Sequence, residues 1–532
     1  MNTPAASIVA VVLVSIATLA VGAFGLRVSR TVSDFYVASR GVGPILNASA
    51  ISGEYLSAAS FLGAAGLILA RGVDMLWLPV GWTAGYLVLL VFVAAPLRRS
   101  GAYTLPDFAQ LRLESMHVRR LSSVLVVAIG LLYLIPQFQG AGLTLRTLTG
   151  APLWVGEVAV AVVVCLNVLP GGMRSVTLIQ AFHYWLKLVA LLTPMFFFAG
   201  TWATSRMPSG VGAVEMADWV EPLRGDHALY LTYSLVLATF FGTMGLPHVV
   251  VRFYTNRDGR AARRTTLVVL VLLAGFYVLP VLYGVLGRML AFDLVAQGRA
   301  DTVVLVLPSR VFDGALGQGL TALVAAGAFA AFLSTSTGLV VSVAGVLSQD
   351  LLRRGTGPGL RGGIRAFRLA TVLAVSVTVA LTFVSAGVPV ARAVELAFAV
   401  AASTFCPMLL LGIWWRGLTA RGVIAGLVVG GGLSMSAVLS TTFGVDWEGW
   451  FGVVMRQPAA VTVPMAFATM ITVSLITRAT VPEHVNLTMV RLHAPEHIAL
   501  DRGSFHPEPS RNPQRSVQGA TARRDNVTVR RG

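Results

Sequence analysis

Runs of about twenty apolar residues recur along this chain, separated by short arginine-bearing loops. A helix needs roughly 20 such residues to cross the hydrocarbon core of a bilayer. Thirteen runs meet this reading, near 5–26, 43–70, 74–97, 121–149, 152–170, 177–200, 229–251, 265–290, 318–348, 365–387, 392–413, 422–442 and 456–477. The pattern predicts an all-α polytopic membrane protein with 13 transmembrane helices. The first run is read as a retained helix rather than a signal peptide, since no Lys or Arg precedes Arg27.

Composition agrees. The chain is 56% hydrophobic and only 12% charged, where a soluble domain carries about 25% charge. A soluble chain this apolar lacks the polar surface to cover itself, so soluble enzymes, disulfide scaffolds and disordered proteins are excluded. The formal net charge of +17 does not indicate a nucleic-acid partner. Of 40 basic residues only Lys187 is a lysine, and most of the arginines lie in loops or in the tail after Ile476. Loop arginines set orientation in a membrane. If the N-terminus is outside, twenty-one arginines fall in inner loops against fewer than ten in outer loops, where Glu215, Asp218, Glu221, Asp226, Asp301 and Asp446 lie. The expected placement is therefore the plasma membrane, N-terminus outside and C-terminus cytoplasmic, with lipid as a partner. Residues 478–532 read as a disordered basic cytoplasmic tail, and no enzymatic domain follows the spans. Cys165 and Cys406 stand in apolar runs with no CxxC or His pair beside them, so thiol and metal chemistry are not expected.

Polar groups inside spans carry the function, because an open backbone or unpaired charge there costs several kcal/mol. Three segments stand out. In the second span, Asn47, Ser49, Ser52 and Gly53 interrupt the apolar run and Glu54 sets an acid beside them. An unwound helix there exposes carbonyls to a cation and half-helix amides to an anion, although Gly and Ser also serve helix packing. In the ninth span, Ala331, Ser334 and Thr335 share one helical face, suited to a hard cation such as sodium; such hydroxyls also bond back to their own helix. In the seventh span, Gly242, Gly245 and Pro247 mark a second break with Thr243 at it. His248 reads as structural or interfacial, and His183 and Lys187, one turn apart in the sixth span, read as snorkelling side chains. Matching breaks five helices apart point to an inverted repeat with a site at mid-membrane.

The stretches Asp34–Arg40, Ile51–Gly63, Tyr103–Phe108, Tyr133–Gln137, Gly171–Arg174, Gly242–His248 and Ser348–Leu351 resemble the sodium/solute symporter family, and within it the acetate (monocarboxylate) permease branch. That branch usually has Gly-Asp-Tyr where this chain has Gly53-Glu54-Tyr55. The resemblance implies a leucine-transporter-like fold with two inverted five-helix repeats. These map to 43–200 and 229–413, preceded by an extra helix and loop (1–42) and followed by two helices (414–477). It also implies a sodium site formed by the carbonyls of Ala48, Ile51 and Ala331 and the hydroxyls of Ser334 and Thr335. The expected activity is not enzymatic: secondary active import of a small monocarboxylate (acetate, propionate or pyruvate type) with Na+ as coupling ion. The substrate is expected near Ser52, Gly53 and Glu54, with Gln137 and Thr243 facing them. The alternatives are sodium or proton symport of an amino acid or other small organic solute, and a transporter-like solute sensor. A small accessory membrane protein is a further candidate partner.

Overall fold

A computed structural model describes residues 3–26, 42–170, 172–203, 219–223, 225–352, 360–385, 388–495 and 498. The segment Asp34–Arg40, Gly171, the loop acids Glu215 and Asp218 and the tail beyond 498 lie outside the described residues. Among those described there are helices and turns and no strands.

The chain opens with α1 (Thr3–Leu26). Then α2 (Pro44–Tyr55), a π turn (Ala59–Gly63) and α3 (Ala64–Arg71) form the first core helix, interrupted at Leu56–Ser57. The second core helix is α4 (Trp77–Val88) continued through a π turn into α5 (Ala94–Ser100). The helical run Ala59–Ser100 has 42 residues, too long for one crossing at 1.5 Å per residue. It reverses at Gly72, whose φ of +81° favours a residue without Cβ. After the short α6 (Leu105–Leu113) come α7 (Met116–Thr149), α8 (Leu153–Val168) and α9 (Met173–Ala203).

The second half repeats the plan. Helix α10 (Ala228–Gly245) stops, Leu246 adopts extended angles, and α11 (Pro247–Val251) resumes. Pro247 has no amide hydrogen to continue the ladder, so the break is written into the chain. Then follow α12 (Gly259–Leu290), the small α13 (Asp293–Ala296) and α14 (Val303–Val311), α15 (Gly314–Val346), α16 (Leu360–Val384) and α17 (Val390–Trp414). The chain closes with α18 (Ala420–Thr442), α19 (Gly449–Arg456), α20 (Ala459–Ile476) and α21 (Val485–His493).

Packing obeys a five-helix shift. Helix α2 packs on α9 and α12, as α10 packs on α17 and α4. Helix α9 packs on α15 as α17 does on α7, and α7 meets α8 as α15 meets α16. The most buried span is α15, whose central turns are enclosed on all sides; it faces the break in the first core helix. Helix α1 lies outside this ten-helix set, against α15 and α9.

Two expectations change. Among the described residues eleven helices, not thirteen, are long and apolar enough to cross a membrane. The 42-residue run counts once, and α8 is a shorter apolar helix. The tail is also not wholly disordered: α21 packs on α5 and α6. Arg99 donates to the His493 carbonyl at 3.1 Å, and the Trp414 ring meets His493 edge-on at 4.8 Å. Val485, Met489 and Leu492 recur at helical spacing and are buried, a short amphipathic signal that the Pro, Arg and His content of the tail obscures.

Candidate functional site

Helix α2 begins with Pro44 in its first turn and runs unbroken to Tyr55, where Leu56 turns away with ψ +86°. Beyond the Leu56 amide, which bonds the Ser52 carbonyl at 3.0 Å, the ladder stops. The carbonyls of Gly53, Glu54 and Leu56 are thus left for other partners, as at any helix C-terminus. On the far side of the break the Ala58 amide is capped by the Gln137 side-chain carbonyl at 2.9 Å. Gln137, expected at the substrate, here holds the resumed helix in place.

The open carbonyls are met by two other helices. From α15, Ser334 donates to the Gly53 carbonyl at 2.7 Å and Thr335 to the Glu54 carbonyl at 2.6 Å. From α9, the Lys187 ammonium donates to Gly53 at 2.5 Å and Leu56 at 2.8 Å. The stripe found by helical spacing therefore does face the first core helix. Of the carbonyls implied alongside it, those of Ala48 and Ile51 lie within the continuous turns of α2 and that of Ala331 within α15, where each serves the amide four residues on and keeps a second lone pair. The oxygens available at the break are those of residues 53, 54 and 56.

Below the break lies an ionic cluster. Glu54 and Arg252 pair at 2.6 Å, both almost fully buried. Arg252 also donates to Thr177 at 3.0 Å and to the side-chain carbonyl of Gln180, whose amide reaches the Ser334 carbonyl at 3.1 Å. Glu54 is thereby committed to Arg252 rather than left for a solute. Glu54 and Arg252 line a small cavity with His248 and Ser342, and Gly53 packs closely on α9, where a Cβ would stand 2.0 Å from the Gln180 carbonyl oxygen. Ser52 is buried with a hydroxyl that has no partner among the described residues.

Above the break is an aromatic cluster that the sequence did not single out. Tyr55 lies edge-on to Tyr86 at 4.8 Å, Trp82 stacks on Tyr277 at 5.5 Å, and Phe398 stands 5.8 Å from Tyr133 and 6.0 Å from Trp82. Thr243 back-bonds to Thr239 at 2.7 Å and holds the Tyr55 hydroxyl at 2.8 Å. The indole N–H of Trp82 and the hydroxyl of Tyr86 are buried without a partner among the described residues, two donors available to an acceptor. His248 is buried against Tyr133 at 5.3 Å, and neither of its ring nitrogens has a partner among the described residues.

The sixth-span pair departs from snorkelling, since His183 and Lys187 are both fully buried. His183 shares a hydrogen bond of 2.8 Å with Thr18 of α1. One turn on, Lys187 faces the break. Its being the only lysine in an arginine-rich chain is the signal that could have marked it.

Comparison with known proteins places this architecture. The model of the sodium:solute symporter family matches residues 35–430. The uncharacterized symporter YwcA of Bacillus subtilis (strain 168) is 30% identical over 470 residues, covering 85% of this chain and 90% of that protein. Among solved structures, a Na+-coupled sialic acid symporter in a substrate-bound outward-open state aligns with a TM-score of 0.66 at 14% identity, over 88% of this chain and 98% of that one. MHP1, a nucleobase-cation-symport-1 family transporter in a closed conformation with bromovinylhydantoin bound, aligns at 0.54 and 13% identity, over 87% and 99%. Both have the leucine-transporter fold, as this chain does. The chain belongs to the sodium:solute symporter family.

Proposed function

We propose that the protein imports a small monocarboxylate, of the acetate, propionate or pyruvate type, by cation-coupled alternating access. One observation carries the solute class: two formal cations, Lys187 and Arg252, and one acid, Glu54, meet at the break in the first core helix. Such a cluster holds one excess positive charge at membrane depth, and a monoanion balances it at least cost. The unpartnered donors of Trp82, Tyr86 and Ser52 suit a carboxylate, which only accepts hydrogen bonds. A short acid also fits a closely packed aromatic enclosure better than a sugar does.

Family membership supports sodium as the driving ion. Its oxygens would come from the Ser334 and Thr335 hydroxyls and the carbonyls at the end of α2. A second reading, in which protons rather than sodium drive uptake, is favoured by the Lys187 ammonium on those carbonyls. Uptake of labelled acetate into proteoliposomes, under imposed sodium or proton gradients, tests the assignment. Unlabelled propionate and pyruvate are expected to compete, and proline and glucose are not. The reverse pattern would discard the monocarboxylate.

A further inference from the structure

Lys187 is fully buried on α9, and its ammonium bridges the carbonyls of Gly53 and Leu56 at 2.5 and 2.8 Å. These carbonyls are three residues apart at the C-terminal end of a twelve-residue helix, where the helix dipole is negative and the last carbonyls lack amide partners. This is a cation position by backbone electrostatics alone. The Ser334 hydroxyl donates to the same Gly53 oxygen, and Thr335 to its neighbour. A bound alkali ion would draw on lone pairs of these same oxygens, two of which, at Gly53 and Leu56, already hold the ammonium. The acid nearest the break, Glu54, hydrogen-bonds Arg252 at 2.6 Å and lies within electrostatic reach of the ammonium.

We propose that Lys187 is this site's own cation, its ammonium taking from within the chain the carbonyl oxygens that a sodium ion would otherwise need. A tethered group acts at an effective concentration of about millimolar or more. Free sodium must displace it and leave a buried charge without its oxygens. Sodium binding at the end of α2 is therefore weak in the native protein and is uncovered by removing the amine. The inference rests on the proton-driven form of the symport reading, since it leaves sodium weakly bound at these oxygens, but occupation of the oxygens does not depend on which solute is carried.

Equilibrium binding of 22Na+ to the full-length protein purified in detergent tests it. Native protein is compared with Lys187→Met, which keeps the length of the stem, and Lys187→Gln, which keeps a hydrogen-bond donor. Half-saturation is expected at roughly tenfold lower sodium, or less, in whichever variant elutes at native size. Adding Ser334→Ala to that variant is expected to weaken binding again, because the hydroxyl then becomes a ligand. Equal sodium affinity in native and variant protein overturns the proposal, as does absence of binding to both. In proteoliposomes, native uptake of labelled acetate is expected to persist when choline replaces sodium on both sides. Uptake that stops in choline also counts against Lys187. Failure to carry acetate under any gradient removes the solute assignment and leaves the binding result to decide the role of the lysine.

Discussion

Arg252 and Glu54 share an ion pair of 2.6 Å where neither side chain reaches water. A buried pair is a weak source of stability, but breaking it from one side strands a charge, at about 3–5 kcal/mol. Arg252→Met and Glu54→Gln are each expected to lower thermal stability in detergent by that order. The double variant is expected to recover most of the loss, since no charge is left unpaired. A cycle in which the two losses simply add would show that the pair does not act as a unit. Glu54 was legible in the sequence as an acid beside a break, and Arg252 as a charge close after the second break. Their pairing was not, because 198 positions separate them and only the fold brings the two breaks together.

The two broken helices show what local sequence encodes and what it leaves to the rest of the chain. Pro247 fixes the second break within a residue or two. The first was expected around Ser52 and Gly53, yet α2 continues to Tyr55, because Gln137 on α7 caps the amide at which the helix resumes. The hydroxyl stripe on α15 was legible from spacing alone, since a helical face is a local property; the oxygens it meets were not. The connection between α12 and α15 carries a pH-sensitive contact with the outer arm of the first core helix. Asp301 lies against α3 at Gly66; burial first, and the charge of Glu395 second, push its carboxyl from 3.8 up to about 6. The folded chain then holds this proton more tightly than the unfolded chain. Stability is expected to fall as pH rises from about 4 through about 6 and to level off above, by about 1–3 kcal/mol. Asp301→Asn is expected to flatten that part of the profile and raise stability at pH 7. A native profile already flat between pH 4 and 6.5 in thermal melts would contradict this.

Over the whole molecule, we propose from the arginine asymmetry of the loops that the two ends face opposite sides of the membrane, with the docked α21 on the side of α5 and α6. An epitope appended to the C-terminus is expected to stay hidden from a membrane-impermeant label in intact cells, while one appended to the N-terminus is reached. The opposite result would invert the orientation without altering the fold. Helix α21 joins the ends of two elements far apart in sequence: Arg99, closing the second core helix, and Trp414, closing the tenth, both engage His493. A displacement of either helix end is therefore felt at the other through α21. Helix α21 is thus a strap across two helices that the chain sets more than three hundred residues apart, whereas α1 packs against α15 and α9.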